Sequence, residues 1–354
     1  MRGAMFDLAV IGGGIIGVMA AYLAQQEADW RILLLDRSMV GYGASKYSAG
    51  LDLPYGRSAR QKGLSMLSSR IYGELKTAMP GLPVSNLSLF GITGRKRMNE
   101  VIEGLIPDTV RVASARDVDR LRETFEDLVI SDEQVLLAGV DCSFARPDVV
   151  ASFVLDGLKR ARRVECWEGA EVRGVHKDGG VFSLEIADGR EVLAKRVLLA
   201  AGPWLLRSPG REVAREAGVR IKKIVSLHVD RCPGPDDPVL FLFDEDAFLL
   251  PLYDRREWLF SFTSQEWDCE PEISRLSISR EDREAALAIL ARYCPSLVEQ
   301  CRGGRVFCDA YSPDRAPMIV SVPGMENYVI AGACSGSGYR LAPAIAYESL
   351  RQFS

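Results

Sequence analysis

FDLAVIGGGIIG, at residues 6–17, is the stretch that decides the fold of this chain. It is an apolar run typical of a β-strand that ends in closely spaced glycines, and a stretch with helical character follows from Ile15 to Gln26. A second apolar run, Ile32 to Leu35, ends at the acidic residue Asp36. A strand, a glycine turn, a helix and an acidic strand end in this order predict a βαβ unit at the start of the chain.

The glycines and the acid of this unit have separate expected roles. Gly12 permits the tight turn, Gly14 lets the backbone approach a pyrophosphate, and Gly17 lets the helix pack closely on the strand. The N–H groups at the helix start would then face the phosphates, where the helix dipole favours negative charge. Asp36 stands about 20 residues beyond the glycines, where an acid accepts hydrogen bonds from a ribose 2′-OH and repels the 2′-phosphate of NADP. The stretch therefore predicts a dinucleotide-binding site, and the alternative is a βαβ unit without a ligand.

Length and composition set the class of protein. The chain has 354 residues, which is enough for two or three domains at about 150 residues each. Hydrophobic residues make up 47% and charged residues 26%, as in ordinary soluble globular domains. The net charge of −4 indicates no nucleic-acid partner, and the basic clusters at 95–97 and 159–163 are interpreted as solvated surface.

Cysteine usage and hydropathy bear on the compartment. The eight cysteines form no CxxC pair and no zinc-site spacing, which indicates reduced thiols in a cytoplasmic protein without a metal site. No apolar run reaches 18 residues, and the glycine turn interrupts the only N-terminal candidate. We therefore expect neither a signal peptide nor a membrane span.

Periodicity and turn signals outline the rest of the chain. Helical spacing and caps predict helices over residues 58–77, 113–125, 147–162 and 279–293, and Pro343 is expected in the first turn of a closing helix. Strands are predicted over residues 87–94, 169–177, 181–186, 192–201, 224–229, 240–243, 247–252, 258–263 and 327–332. Short strands alternating with turns from about Lys222 to Cys269 indicate an antiparallel sheet in a separate lobe. We expect this lobe to be inserted between parts of the nucleotide-binding domain.

Four segments, in chain order, carry a resemblance to a known family: residues 12–17 with Asp36, the small-residue run GASKYSAG at 43–50, Val172 with VLLAAGPW at 197–204, and YSPDRAP at 311–317 with IAGACSGSGYRLAP at 330–343. They span nearly the whole chain, and the last is the most specific. With these segments the chain resembles the FAD-dependent D-amino acid oxidase superfamily, which contains glycine oxidase and sarcosine oxidase.

The resemblance implies FAD as the cofactor and a mixed α/β fold, in which a Rossmann-like FAD-binding domain carries an inserted antiparallel-sheet substrate domain. The FAD-binding domain is expected to comprise residues 1–85, 145–220 and 305–354, and the substrate domain residues 86–144 and 221–304. Residues expected to contact FAD are Gly12, Gly14, Ile15, Ile16, Gly17, Asp36, Arg37, Ala44, Ser45, Ser48, Ala49, Gly50, Leu51, Val172, Ala201, Gly202, Trp204, Ser335, Gly336, Ser337, Gly338, Tyr339, Arg340 and Leu341.

The glycines at 332, 336 and 338 predict a flavin site independently of the family resemblance. They leave backbone N–H groups free beside a helix start, an arrangement that suits the electron-rich N1–C2=O edge of a flavin. The alternative is a glycine turn with a structural role only.

The resemblance further implies oxidation of a C–N bond, in which an amino acid or secondary amine gives a hydride to flavin N5 and the imine hydrolyses. The sequence holds two histidines and no HExxH or GxSxG motif, so metal-dependent hydrolysis and serine chemistry have little support. No catalytic acid or base is assigned, because a flavin accepts the hydride while the protein binds and orients. His228, on a strand of the substrate lobe, is a candidate for the substrate pocket. Arg340 stands where sarcosine oxidase-like proteins carry a basic residue that holds the substrate carboxylate.

Three departures from the family pattern affect the expected chemistry. Asp309 occupies the position where glycine oxidase-like proteins carry a carboxylate-binding arginine, so it would favour a cationic group on the substrate, such as a second amine. The strand at 258–263 lacks the lysine that activates O2 in sarcosine oxidase-like proteins, which bears on O2 as the expected acceptor, with H2O2 as the product. Cys308 lies one residue from the position that attaches FAD covalently in some members, so we expect noncovalent FAD.

Alternatives to an amine oxidase stay open. One is an FAD-dependent dehydrogenase of an amine or a 2-hydroxy acid that passes electrons to a partner protein or a quinone. Another is a non-catalytic FAD-binding subunit of a complex. Five aromatic residues of the lobe, Phe241, Phe243, Phe248, Tyr253 and Phe260, are interpreted as core rather than as a pocket lining.

Overall fold

The computed structural model describes residues 5–27, 29–160 and 164–353, which contain both helices and strands. The helices are α1 (Ile15–Glu27), α2 (Ala44–Tyr47), α3 (Ala59–Ala78), α4 (Met98–Gly104), α5 (Ala115–Thr124), α6 (Pro147–Arg160), α7 (Arg211–Glu216), α8 (Arg280–Tyr293) and α9 (Gly338–Leu350). The strands are β1 (Met5–Phe6), β2 (Leu8–Ile11), β3 (Ile32–Leu35), β4 (Leu51–Asp52), β5 (Val84–Gly94), β6 (Arg111–Val112), β7 (Gln134–Ala145), β8 (Val164–Trp167), β9 (Val172–Asp178), β10 (Val181–Ile186), β11 (Glu191–Ala194), β12 (Val197–Leu199), β13 (Arg220–Val229), β14 (Val239–Leu242), β15 (Ala247–Leu252), β16 (Glu257–Phe262), β17 (Cys301–Tyr311), β18 (Met318–Ser321) and β19 (Tyr328–Gly332). Residues 161–163, which include the end of the predicted helix at 147–162 and part of the basic cluster at 159–163, lie outside the described residues.

A six-stranded sheet forms the centre of the expected nucleotide-binding part, with the strand order β18-β19-β12-β2-β3-β8. Its strands run parallel except for β18, which is antiparallel to β19. Leu8 and Val10 pack with helices α1, α3, α6 and α9 on one face, whereas Ala9 and Ile11 pack against strands β9 to β11 on the other. Both faces are therefore buried, as in other parallel sheets, and the predicted βαβ opening is confirmed.

The chain passes between the four-stranded and the six-stranded sheet at two neighbouring positions, once between β1 and β2 and once between β11 and β12. The predicted strand at 192–201 is in fact two strands, since β11 joins the four-stranded sheet β1-β11-β10-β9 and β12 joins the six-stranded sheet. Strands β1 and β2 divide in the same way around Asp7. Lys195, between β11 and β12, forms an ion pair with Asp7 at 2.8 Å. Apolar content alone could not show that this charged pair interrupts both strands.

A nine-stranded sheet contains most strands of the expected substrate lobe, in the order β17-β13-β16-β15-β14-β5-β7-β4 with β6 on β7. Neighbouring strands are antiparallel apart from β14 and β5, so the prediction of an antiparallel sheet is confirmed. The predicted domain boundary at residue 305 falls inside β17, which pairs with β13 along its whole length. The sheet thus connects the two expected domains through a continuous strand.

Helix α9 contains Pro343 in its interior, whereas the sequence placed this proline in the first turn. A proline inside a helix leaves the carbonyl four residues earlier without its usual donor, here the carbonyl of Tyr339. The Tyr72 hydroxyl of helix α3 donates to that carbonyl at 2.8 Å, and Ser68 Oγ accepts from the Ala344 N–H at 3.1 Å. Helix α3 therefore supplies the partners that let α9 begin five residues before its proline.

No helix in the described part of the chain is both long and apolar enough to cross a membrane.

Candidate active site

A large cavity of about 670 Å³ lies between the two main sheets. Its lining includes the residues that follow β2, β3, β12 and β19, at the carboxyl ends of parallel strands, where ligands bind in open α/β sheets. Strands β13 to β17 of the nine-stranded sheet form the opposite wall. The volume falls within the range of about 300–1,000 Å³ typical of ligand and cofactor sites.

The glycine turn after β2 is held by Asp36. The Gly13 N–H donates to Asp36 Oδ2 at 2.7 Å, and the Ser38 N–H donates to Oδ1 at 2.7 Å. Burial raises the pKa of Asp36 above its ordinary value, although the two backbone donors oppose that shift. Both oxygens retain lone pairs that could accept a ribose hydroxyl. Ser45 Oγ accepts from the Ile15 N–H at 3.0 Å, so this hydroxyl stands at the start of helix α1.

Most of the residues expected to contact FAD line this cavity. They are Gly12, Gly14, Ile15, Ile16, Asp36, Arg37, Ala44, Ser45, Ser48, Ala49, Gly50, Leu51, Val172, Ala201, Gly202, Trp204, Ser335, Gly336, Ser337, Gly338, Tyr339 and Arg340. Gly17 and Leu341 are not among the lining residues in the described ranges. Gly17 instead packs against the Gly12 carbonyl, and Leu341 is buried in the helical core. The four sequence segments thus meet around one space.

One end of the cavity has a residue that sequence reasoning did not identify. The Arg37 guanidinium lies 4.7 Å from the centre of the Trp204 ring and forms an ion pair with Glu272 at 3.1 Å. Trp204 Nε1 donates to the same carboxylate at 3.4 Å. Glu272 lies in a short segment that follows the strands predicted for the lobe, and it belongs to no motif that the sequence shows. It closes the cavity at the end that holds Asp36.

The glycine turn before helix α9 is occupied by a carboxylate. The Gly336 N–H donates to Asp309 Oδ2 at 2.9 Å, and the Ala310 N–H donates to Oδ1 at 2.8 Å. Burial raises the pKa of Asp309 to about 6, against the effect of these two hydrogen bonds. One N–H of the turn that was expected to face a flavin therefore already has a partner.

Arg340 lies beside this turn and lines the cavity. Its Nη1 donates to the carbonyls of Leu53 at 2.9 Å and Tyr55 at 2.6 Å, and Nη2 donates to Ser337 Oγ at 2.8 Å. Burial lowers the pKa of Arg340 to about 10, so the guanidinium stays charged at neutral pH. Three of its five N–H groups donate to protein atoms, and the other two donate to no described residue.

His228 is not among the residues that line this cavity in the described ranges. Its Nε2 accepts from Arg305 Nε at 3.1 Å, and its Nδ1 lies 3.3 Å from a Glu257 carboxylate oxygen. Burial lowers the pKa of His228 below its ordinary value. The structure places this histidine in a polar network beyond the cavity wall.

Several aromatic residues have more than the core role that the sequence suggested. Phe241, Phe243 and Phe248 line the cavity while they also pack on the core of the lobe. Tyr253 and Phe260 do not appear in the cavity lining of the described chain. Both faces of this sheet are largely apolar, so alternation along a strand could not show which face meets a cavity.

Strand β17 turns alternate side chains toward the cavity. Phe307, Asp309 and Tyr311 line it, whereas Cys308 is 2% exposed and belongs to the core cluster on the opposite face. Cys308 Sγ donates to the Glu270 carbonyl at 3.6 Å.

Charged residues on the lobe wall were also not identified from the sequence. Lys222 lines the cavity from β13, although the strand at 258–263 has no lysine. Arg57, Asp246 and Arg315 line it as well. Lys222 alternates along β13 with Ile224 and Ser226, which also line the cavity, and this period of two is the signal that could have pointed to it. The described residues contain no cluster of three or more His, Cys, Asp or Glu that could hold a metal ion.

Comparisons with known proteins agree with this geometry. The family described as "DAO: FAD dependent oxidoreductase" matches residues 7–349. N-methyl-L-tryptophan oxidase of Salmonella arizonae is 22% identical over an alignment that covers 96% of this chain and 92% of that protein. The FAD-bound L-alpha-glycerophosphate oxidase of Mycoplasma pneumoniae superposes with a TM-score of 0.81 at 15% identity, covering 99% of this chain and 94% of the other. Glycine oxidase of Geobacillus kaustophilus superposes with a TM-score of 0.77 at 18% identity, covering 99% and 95%. At such identities the two structures support the fold alone.

Proposed function

This chain belongs to the DAO family of FAD-dependent oxidoreductases, and from that premise we propose that it oxidises the C–N bond of an amino acid or secondary amine to an imine. N-methyl-L-tryptophan oxidase and glycine oxidase are both named for amine substrates. The observation that carries the proposal is that Arg340 and Asp309 stand together at the 335–338 turn in the cavity wall. A cation and an anion there match the carboxylate and the amine of an amino acid.

FAD and the residues of the cavity have separate roles in the proposed reaction. Bound FAD supplies the redox chemistry, by accepting a hydride at N5. The glycine turn, Asp36 and the other lining residues expected from the sequence hold the cofactor. Arg340 orients the substrate carboxylate with its remaining N–H groups, and Asp309 attracts the amine. His228 stays a weaker candidate for the substrate pocket, because it would act only through the wall that separates it from the cavity.

Anaerobic titration of the purified flavoprotein with amino acids and secondary amines tests this proposal. We expect at least one of them to bleach the flavin absorbance. We also propose O2 as the acceptor, so the substrate should consume O2 and form H2O2. Reduction without peroxide formation would indicate a dehydrogenase that serves a quinone or a partner protein. FAD that binds tightly while every amine and 2-hydroxy acid leaves it oxidised would instead indicate a non-catalytic subunit.

We expect FAD to be noncovalent. Cys308 faces the core rather than the cavity, and the flanking residues that do face the cavity are Phe307 and Asp309. Denaturation in acid followed by centrifugation should leave the yellow colour in the supernatant. Colour that stays in the pellet would show a covalent bond.

The pH dependence of substrate binding should follow Asp309. Its pKa is raised to about 6, so the carboxylate is anionic above that pH and neutral below it. An amine substrate that needs the anion should show a KM about tenfold higher at pH 5 than at pH 7. Asp309→Asn should raise KM at pH 7 and remove this dependence. A wild-type KM that is constant from pH 5 to pH 7 would contradict the role.

A further inference from the structure

We propose that the substrate carries a second anionic group, a carboxylate or a phosphate, and that Lys222 binds it together with Arg315. This inference rests on the proposed function and specifies its substrate class. It depends on a buried lysine that forms no ion pair with a described residue and on Arg315, an arginine of the cavity lining that forms none with the described residues either.

Lys222 differs from its neighbour Lys223 in its partners. Both lysines are buried, at 3% and 4% exposed. Lys223 forms ion pairs with Glu266 at 2.7 Å and Asp282 at 2.6 Å, behind β13. Lys222 faces the cavity and forms no ion pair with any described residue. A buried ammonium without a counter-ion is costly, so an entering anion gains a strong partner.

Aromatic rings hold the Lys222 side chain in place. Its Nζ lies 4.9 Å from the centre of the Trp267 ring and 5.3 Å from that of Tyr311. Burial lowers the pKa of Lys222, while Asp246 raises it and Arg315 lowers it further. Asp309 is opposite Lys222 in the strand register, yet the two side chains form no ion pair, and the Asp309 oxygens accept from the backbone N–H groups of Gly336 and Ala310.

Gln61 connects the backbones of two arginines that line the cavity. This buried side chain accepts from the Arg57 N–H at 2.8 Å through Oε1 and donates to the Arg315 carbonyl at 2.8 Å through Nε2. Arg57 pairs with Asp246 at 3.3 Å, and both are partly exposed. Arg315 forms no ion pair within the described chain. Three cations, Lys222, Arg57 and Arg315, therefore line this region together with two carboxylates, Asp246 and Asp309.

Two other cations that line the cavity, Arg97 and Arg340, are not assigned to this second anionic group. Arg97 also lines the cavity, but it pairs with Asp244 at 2.9 Å and with Glu100 at 3.3 Å. Arg340 is the cation assigned to the first carboxylate of the substrate. An amino acid with an uncharged side chain would leave Lys222 and Arg315 without partners, whereas a second anionic group would meet both.

Unreactive ligands test this site in the FAD-bound protein. Glutarate and pentanoate differ only in that a carboxylate replaces a methyl group, and their binding can be followed by the change in flavin absorbance. We expect glutarate to bind at least tenfold more tightly than pentanoate. A preference for phosphate is tested by comparing the affinity for sn-glycerol 3-phosphate with that for glycerol. The pair of ligands with the larger ratio of affinities identifies the preferred anion.

Variants locate the effect. Lys222→Met keeps the length of the side chain and should lower glutarate affinity about tenfold while pentanoate affinity stays unchanged. Arg315 has a φ of +58°, which glycine adopts without strain, so Arg315→Gly removes the side chain and leaves the backbone intact. We expect it to weaken glutarate about threefold. Arg256→Gly is the matched control, because Arg256 has a φ of +56° and does not line the cavity within the described ranges; it should change nothing.

Two failures can be told apart. Equal affinities for glutarate and pentanoate, and for glycerol 3-phosphate and glycerol, or an unchanged Lys222→Met protein, would overturn the second-anion site. Amine oxidation would still be supported if N-methyl-L-alanine, which has no second anionic group, reduced the flavin as fast as N-methyl-L-aspartate, which has one. If no amine reduces the flavin, the proposed function fails, while the binding comparison still decides whether the anion site exists.

Discussion

Replacing Gly17 with alanine should remove bound FAD and destabilise the protein. A Cβ at this position would stand 1.9 Å from the Gly12 carbonyl oxygen, far inside van der Waals contact. Gly12 cannot move away, because a Cβ there would itself be 2.3 Å from the Ala200 carbonyl and its φ is +110°. The helix must therefore shift off the strand, and with it the N–H groups that should hold the pyrophosphate. We expect colourless protein and a loss of about 3 kcal/mol in the free energy of unfolding.

A matched substitution separates this effect from glycine replacement in general. Gly63 lies in helix α3, and a Cβ there meets no atom within 4 Å. Gly63→Ala should keep FAD and raise the free energy of unfolding by up to about 1 kcal/mol, because alanine favours the helix. The ratio of flavin to protein absorbance and urea denaturation measure both variants. A Gly17→Ala protein that is yellow and as stable as wild type would show that α1 is not packed on β2 as described.

The sequence could predict the elements whose signals are local. The βαβ opening follows from glycine spacing and an acid at a fixed distance, and the structure confirms it. The β9–β10 and β10–β11 hairpins follow from their turn glycines, and the helix after Ser279 from its capping box with Asp282. In each case the deciding atoms lie within a few residues of one another.

Long-range partners explain what could not be predicted. Pro343 stays inside α9 because Tyr72 and Ser68, more than 260 residues earlier, satisfy the affected backbone groups. Lys222 and Lys223 are adjacent and chemically identical, and only the positions of Glu266 and Asp282 show which one is paired. The family prediction is confirmed, because it drew on four segments at once rather than on any one pattern.

Arg340→Gln should lower kcat/KM for an amino-acid substrate at least 100-fold. The guanidinium fixes the carbonyls of Leu53 and Tyr55 and is assigned the substrate carboxylate. Hydrogen bonds to a charged group contribute about 1.5–3 kcal/mol each, so the loss of one substrate contact together with the fixed loop corresponds to about 3 kcal/mol or more. Arg351→Gln, at the exposed end of the same helix, should leave kcat/KM within twofold of wild type.

Arg340→Lys separates the two roles of this side chain. A lysine restores one positive charge but lacks the planar fork that reaches two carbonyls at once. If Arg340 binds the substrate carboxylate, the lysine variant should recover much of the affinity that glutamine loses, as a lower KM. If it only holds the loop at 53–55, both variants should show the same KM, the same reduced kcat and the same weakened FAD. Equal KM values for Arg340→Lys and Arg340→Gln would therefore reassign Arg340 from substrate binding to positioning, because charge alone would then have no effect on the substrate.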